Sequence, residues 1–132
     1  MADVDLLTDT DVLIEFLRGN AKASDWLKAN QERVLGIPVL TFMEILQGAR
    51  NRQEQQMLAK QLSTYTIVHL DGGDSEQALR WFEEFHLSHG VGILDCLIAA
   101  IAVRIGKPFY TFNLKHFLVF PALDAREPYE RP

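Results

Sequence analysis

Short apolar segments alternate along the chain with longer segments in which apolar residues recur at helical spacing. The short segments predict β-strands at residues 5–8, 33–39, 65–70 and 109–112. The longer ones predict helices at residues 11–18, 22–31, 42–49, 53–62, 94–105 and 113–117, and a long helix from Asp74 or Ser75, as its cap, to about Ser88. Strands separated by helices predict an α/β fold, a three-layer α/β/α arrangement with a small, mainly parallel sheet.

Length and composition predict a single domain over residues 1–132. Hydrophobic residues make up 48% of the chain and charged residues 23%, a mixture that argues against disorder. The single cysteine, Cys96, excludes an internal disulfide framework and suits a reducing compartment, so we expect a cytoplasmic location. The longest apolar run, 96–103, is far shorter than the roughly 18 residues of a membrane span. The acidic N-terminus resembles neither a secretory signal nor a transit peptide, and we expect no membrane contact.

The net charge limits how the protein could bind nucleic acid. Eighteen acidic residues against 13 basic ones give a formal charge of −5, which speaks against binding DNA or RNA through overall positive charge. A bound metal ion can nevertheless reverse the local charge of an acidic site. The positions of the acidic residues therefore matter more than their number.

Three carboxylates lie where one predicted element gives way to the next. Asp9 could cap the helix that begins near Asp11, and Thr41 with Glu44 has the T-x-x-E spacing of a capping box. Asp95 lies in the first turn of the most apolar helix, where the helix dipole favours an anion. Taken one at a time, these structural roles are the simpler explanation.

Taken together, the three carboxylates suggest a metal site. Polar working groups of parallel sheets collect beyond the carboxyl ends of the strands. Asp95 shares a helix face with Ile98 and Ala99, which argues against a surface position. If Asp9 and Glu44 meet it there, their like charges call for a hard divalent cation such as Mg²⁺ or Mn²⁺, which prefers oxygen ligands. This convergence is a hypothesis that spacing alone does not prove.

Four segments, in this order and at these intervals, resemble the motifs of PIN-domain proteins. The length and the Leu-Arg-Gly at 17–19 are most similar to VapC-type ribonuclease toxins of toxin–antitoxin pairs. The segments are 6–14 (LLTDTDVLI), 41–44 (T-x-x-E), 95–99 (D-x-x-I-A) and 111–117 (TFNLKHF).

The resemblance implies a Mg²⁺- or Mn²⁺-dependent endoribonuclease with a PIN-like fold. Asp9, Glu44 and Asp95 would be its catalytic, metal-binding residues, and transfer RNA or ribosomal RNA its substrate. It also implies a homodimer and a VapB-like antitoxin that inserts a chain segment into the acidic site. An arginine on that segment would fit there electrostatically.

Two positions depart from the family pattern. Asp11 stands where the family often has Asn, and it is either a solvent-side neighbour or an added outer-sphere acid. His116 stands where an acid is frequent. A histidine there could bind the metal, hydrogen-bond a metal-bound water, move a proton, or simply pack beside Phe117.

Several other side chains could support such a site. Thr10, Thr111 and Asn113 could hydrogen-bond carboxylates, water or phosphate, although caps and turns explain them equally well. Cys96 is better explained as a small core residue than as a reactive thiol. Basic residues near predicted element ends could line an RNA groove, although each alone is more simply a solvated surface charge: Arg18, Lys22, Arg50, Arg52 and Lys115.

Two other functions remain open at this stage. The 9–12 segment also fits the D-x-D-x-[TV] opening of haloacid-dehalogenase-like phosphatases, with Asp9 as nucleophile, Asp11 as acid/base and Asp74 in a late G-D motif. Their remaining motifs are not in usable order here, and the chain is short for that fold. The second alternative is a PIN-like module that binds metal and RNA without cleaving it.

Overall fold

The computed structural model describes residues 3–131 as five strands and seven helices. Residues 1, 2 and 132 of the predicted domain lie outside the described residues. The strands are β1 (Leu6–Thr8), β2 (Leu35–Pro38), β3 (Thr66–Val68), β4 (Phe109–Tyr110) and β5 (Ala125–Arg126). The helices are α1 (Thr10–Leu17), α2 (Ala21–Ala29), α3 (Val39–Gln47), α4 (Arg52–Leu62), α5 (Gly72–His89), α6 (Ile93–Ile105) and α7 (Leu114–Phe117).

All neighbouring strands of the sheet run parallel, in the order β3-β2-β1-β4-β5. Leu7 on the central strand pairs with Gly36 on β2 and with Phe109 on β4. The chain adds β2 and β3 on one side of β1, then β4 and β5 on the other. The strand order therefore reverses between β1 and β4, and in open α/β sheets this is where functional groups collect.

Helices cover both faces of the sheet, which confirms the predicted three-layer α/β/α fold. Leu6 and Leu7 are both fully buried, and they belong to opposite core clusters because successive strand residues point to opposite faces. Leu13, Ile45 and Leu62 place α1, α3 and α4 on the Leu6 side. The Leu7 side is formed by α5, α6 and α7, with residues including Trp81, Ile98, Ala99, Ile101 and Phe117. No helix within residues 3–131 is long and apolar enough to span a membrane.

Two predicted helix starts are wrong. The sequence suggested a capping box at Thr41 and Glu44, but α3 begins at Val39, directly after Pro38, without a side-chain cap. Thr41 therefore lies inside the helix, and its buried hydroxyl has no hydrogen-bond partner within residues 3–131. The strand passes into the helix with no loop between them, so the helix begins two residues before the predicted capping position.

The long helix α5 also starts earlier than predicted. Asp71 is its cap, and not Asp74 or Ser75: Asp71 Oδ1 accepts from the Asp74 N–H at 2.9 Å, and Asp74 Oδ2 accepts from the Asp71 N–H at 3.1 Å. The glycine pair after Asp71 forms the first helical positions. Reciprocal side-chain bonds of this kind satisfy helix N–H groups that would otherwise lack partners.

An ion pair that the sequence did not predict joins α5 to α6. Arg104 Nε lies 2.9 Å from Asp74 Oδ1, its NH2 donates to Asp74 Oδ2 at 2.9 Å, and it also donates to the His69 carbonyl. Asp74 is only 2% exposed, so this bidentate contact compensates a buried charge.

The sequence pattern did not predict β5. This strand has only two residues, of which Ala125 is half-buried and Arg126 is exposed, so it shows no apolar pattern.

Candidate active site

Asp9 lies at the carboxyl end of β1 and caps α1. Its backbone N–H donates to the Tyr110 carbonyl at 2.9 Å, which continues the β1–β4 ladder by one residue. Asp9 Oδ1 accepts from the Thr10 N–H at 2.8 Å, and Oδ2 accepts from the Thr111 hydroxyl at 2.8 Å. The residue is only 8% exposed. The strand reversal thus places a buried carboxylate between the ends of two adjacent strands.

The surroundings of Asp9 disfavour its charged form. Burial, together with the neighbouring charges of Asp11 and Glu44, raises the pKa of Asp9 from its ordinary 3.8 to about 7. The hydrogen bonds from Thr111 and Thr10 lower this pKa but do not offset the burial. A cation at this position would restore the charged form.

Glu44 reaches the same place from the second turn of α3. Its Oε1 accepts from the Thr10 hydroxyl at 2.9 Å, while the Thr10 N–H binds Asp9. Thr10 therefore bridges two carboxylates that are 35 residues apart in the sequence.

Asp11 faces inward, so the solvent-side position suggested for it is wrong. Its Oδ2 accepts from the Phe112 N–H at 3.1 Å, which ties the first turn of α1 to the segment after β4. Its Oδ1 is buried and has no hydrogen-bond partner among residues 3–131. Burial raises the pKa of Asp11 as well. A second carboxylate is thus held close to Asp9 with one oxygen unsatisfied.

The turn between β4 and α7 links Asp9 to the fourth motif position. The Thr111 hydroxyl that donates to Asp9 accepts from the Asn113 N–H at 2.9 Å. The Asn113 side-chain amide lies 3.0 Å from His116 Nδ1. This turn therefore carries a polar connection from the sheet edge to the histidine.

Asp95 lies beside His116 on the first turn of α6. Its Oδ2 accepts from the Gly92 N–H at 3.0 Å and lies 3.7 Å from His116 Nδ1. The Asp95 side chain is 24% exposed, so one edge of the carboxylate faces solvent. The third and fourth motif positions are thus in proximity across two helices.

These contacts form one continuous series, which we call the acid arc. It brings together side chains that the sequence suggested separately. The acid arc runs through Glu44, Thr10, Asp9, Thr111, Asn113, His116 and Asp95.

Comparison with known proteins identifies the family of this chain. The sequence model of the PIN-domain family matches residues 6–119. The chain belongs to the PIN-domain family. Among curated proteins it is 31% identical over 120 residues to "Ribonuclease VapC10" of Mycobacterium tuberculosis, covering 89% of this chain and 90% of that protein. It is 30% identical over 132 residues to "Ribonuclease VapC19" of the same organism, covering 93% and 98%.

A solved structure with the same fold is also similar in sequence. The chain superposes on a chain of a toxin–antitoxin complex from Klebsiella pneumoniae with a TM-score of 0.79 and 27% identity. The superposition covers 96% of this PIN-domain chain and all of the other.

The acid arc of this PIN domain suits a hard divalent cation in donor type and charge. Its carboxylates supply oxygen donors, and the raised pKa of Asp9 reflects uncompensated charge. The neighbouring Asp11 adds a buried oxygen, Oδ1, that has no partner in the described part of the chain. Within residues 3–131, no three Asp, Glu, His or Cys side chains are already positioned as a metal ligand set. The residues present fit such an ion by chemistry, and the ligand set is not closed.

The predicted basic residues lie outside the acid arc. Arg18, Lys22, Arg50, Arg52 and Lys115 are all exposed. Arg50 pairs with Glu54 of α4 at 3.0 Å, and Lys22 Nζ donates to the Glu130 carbonyl at 3.1 Å. Between residues 3 and 131, no hydrogen bond or ion pair joins these five side chains to the arc.

Sequence reasoning missed two residues that reach this part of the PIN domain, Tyr129 and Arg131. Tyr129 packs against the Phe112 ring, with 5.1 Å between ring centroids, and the Arg131 guanidinium lies 4.0 Å from the Phe112 centroid. A polar segment of this kind gives no periodic signal, and the available clue was an aromatic residue followed by two charged ones at 129–131.

A cavity of about 370 Å³ opens at the opposite, amino-terminal edge of the sheet, lined by residues including Arg33 and Tyr65. None of its lining residues is a carboxylate, and it lies apart from the acid arc.

Proposed function

We propose that this PIN-domain protein is a divalent-metal-dependent endoribonuclease and the toxin of a VapBC-type toxin–antitoxin pair. Asp9, Glu44 and Asp95 are its proposed catalytic and metal-binding residues, with His116 as a further ligand. The similarity to two ribonucleases over nearly the whole chain supports the reaction class. The single observation that carries the proposal is Asp9: a buried carboxylate at the strand reversal, with two carboxylates close by and its pKa raised to about 7.

The bound ion, Mg²⁺ or Mn²⁺, would supply an activated water and offset the charge that develops on the phosphate. The chain's own contribution is positioning. Thr10 and Thr111 donate to Asp9 and Glu44 and so fix the orientation of both carboxylates. Asn113 lies 3.0 Å from His116 Nδ1 and so orients the His116 ring. Arg18 and Lys115 are proposed to contact the RNA backbone.

The proposed partners follow from the relatives. The comparison complex from Klebsiella pneumoniae is a toxin–antitoxin assembly, and we propose a VapB-like antitoxin and a homodimer for this chain too. The uncompensated negative charge at the arc suits a cationic antitoxin side chain, and arginine matches a carboxylate in shape and hydrogen bonding. Transfer RNA and ribosomal RNA are the proposed substrates, and the site is proposed to work in the cytoplasm.

The test is a cleavage assay on transfer RNA and ribosomal RNA with Mg²⁺, with Mn²⁺ and with EDTA. We expect cleavage by the wild type only with a divalent ion, and a loss of more than about 100-fold for D95N. Asn at position 95 keeps an oxygen for the Gly92 N–H, so folding is preserved. The matched control is D25N, the same change at an exposed residue of α2, which should cleave normally. Equal cleavage by D95N and the wild type would contradict the assignment.

A binding module without catalysis is the second candidate. The observation that favours it is that no closed ligand set is present among residues 3–131, with His116 at a position where an acid is frequent. Binding of RNA with no cleavage of either RNA class under any divalent condition would support this function.

The phosphatase alternative has no support. Asp11 binds the Phe112 amide, Asp74 is paired with Arg104, and the family match is to the PIN domain.

A further inference from the structure

The last described residues, Tyr129 to Arg131, cross over the segment that follows β4, and we call them the C-terminal strap. Tyr129 contacts the Phe112 ring edge-on, and the Arg131 guanidinium stacks on the same ring. Arg131 NH1 lies 3.4 Å from Glu15 Oε1 on α1, and the Glu130 carbonyl accepts from Lys22 Nζ. The strap is therefore anchored to α1 and α2 and holds one aromatic side chain.

Phe112 lies at the centre of the acid arc's turn. The residue before it, Thr111, binds Asp9, and the residue after it, Asn113, lies against His116. Its own N–H donates to Asp11 Oδ2. Rotation or displacement of Phe112 would therefore move the turn that relates one end of the arc to the other.

Two buried polar atoms at this contact have no hydrogen-bond partner within residues 3–131. One is Asp11 Oδ1, on the carboxylate that binds the Phe112 N–H, and the other is the Tyr129 hydroxyl, on the ring that packs against Phe112. Unsatisfied buried polar groups cost stability, and in native proteins they concentrate at functional sites. The strap and Asp11 thus share an arrangement that stability alone does not explain.

We propose that Tyr129 and Arg131 are positioning residues of the acid arc, which clamp Phe112 and thereby hold Thr111 and Asn113 in the geometry that presents Asp9 and His116. The catalytic consequence rests on the proposed function, whereas the clamping of Phe112 does not. Neither residue is assigned a contact with the reacting atoms. A direct contact between Arg131 and an RNA phosphate is the competing role.

The clamp is tested by amide hydrogen exchange at Phe112 and Asn113 in the full chain. Because the ring–guanidinium contact is a modest interaction, we expect R131A to speed Phe112 exchange about threefold, and Y129A about tenfold. Exchange at Ala99, in the core of α6, should stay unchanged in both. Y129F keeps the ring and removes only the unpartnered hydroxyl, so its Phe112 exchange should match the wild type.

The matched control for Arg131 is R80A, which removes an exposed arginine of α5 and the same charge. Equal Phe112 exchange in R131A and R80A would overturn the clamp, whether or not the protein cleaves RNA. A wild type that cleaves no RNA would contradict the proposed function, and the exchange rates alone would then decide the clamp.

Cleavage kinetics separate positioning from phosphate contact. If both residues act by positioning, R131A and Y129A should each lower kcat about tenfold. Their KM and the salt dependence of KM should then equal those of R80A. A rise in KM with a shallower salt dependence and unchanged kcat in R131A would mean that Arg131 contacts RNA, and would overturn the positioning role.

Discussion

Replacing Asp9 with Asn should stabilise the metal-free protein at neutral and alkaline pH, although Asp9 caps a helix. Asn has nearly the same shape, and its amide can still pair with the Thr10 N–H and the Thr111 hydroxyl. The change removes a buried negative charge that is repelled by the negative charges of Asp11 and Glu44.

The magnitude follows from the pKa of Asp9, about 7 in the folded protein against an ordinary 3.8. Between these values the folded state binds the proton and the unfolded state does not, so stability falls as pH rises through this window and levels off above pH 7. A shift of this size corresponds to about 4 kcal/mol in total, of which about 2.5 kcal/mol is lost between about pH 5 and pH 8. D9N lacks this loss, so its stability relative to the wild type should rise by about 2.5 kcal/mol over that range.

The assay is urea unfolding of both proteins in EDTA at pH 5 and pH 8, followed by tryptophan fluorescence. D25N, at an exposed position, controls for the general effect of removing one acid and should change by less than about 0.5 kcal/mol. Adding excess Mg²⁺ at pH 8 should stabilise the wild type more than D9N, because a bound cation offsets the charge that Asn lacks.

A stability of D9N relative to the wild type that is the same at pH 5 and pH 8 would refute this prediction. That result would mean that the Asp9 carboxylate is well compensated in the folded protein and acts mainly as a helix cap. A pH-independent difference of less than about 0.5 kcal/mol is what a cap alone would give, because Asn caps a helix about as well as Asp.

Three further outcomes test other parts of the structure. E44Q should lose RNA cleavage more than about 10-fold but unfold within about 0.5 kcal/mol of the wild type, because its amide oxygen still accepts a hydroxyl proton; normal cleavage would make Glu44 structural. R104A should lose about 2–3 kcal/mol in urea unfolding by leaving Asp74 buried and unpaired, whereas R80A should lose less than about 0.5 kcal/mol; equal losses would show that the ion pair contributes little. Cys96 should resist a thiol reagent at pH 8 until urea unfolds the chain, because burial, helped by the Asp95 charge, raises its pKa to about 11; rapid native labelling would contradict this.

The fold was largely predictable because it rests on local patterns. Buried strands such as β1 and the apolar helix α6 carry their burial in consecutive residues, and strand–helix alternation restricts the topology. β5 was not predictable, because it is defined by pairing with β4 rather than by its own two residues.

The site was predictable only where a position follows from strand ends. Asp9 comes directly after β1 and Thr111 directly after β4. Because these two strands are adjacent in the sheet, the topology predicts that the two side chains meet. Asp11 faces inward because it binds the Phe112 N–H, 101 residues away in the sequence. Glu44 faces inward because α3 starts directly after β2, with no capping loop. Such contacts depend on how packed elements are rotated, and spacing in the sequence does not encode rotation.

Two buried acids of the protein, Asp74 and Asp9, differ in whether a positive charge of the chain compensates them. This difference indicates what could bind at the acid arc. Asp74 is compensated within the chain by the two-pronged contact of Arg104. Asp9, nearly as buried, receives hydrogen bonds from neutral groups, and no arginine or lysine within residues 3–131 forms an ion pair with it. Where Asp9 is charged, a compensating positive charge would therefore come from outside residues 3–131. A divalent ion and a cationic antitoxin side chain would both meet this need, so each should weaken the binding of the other.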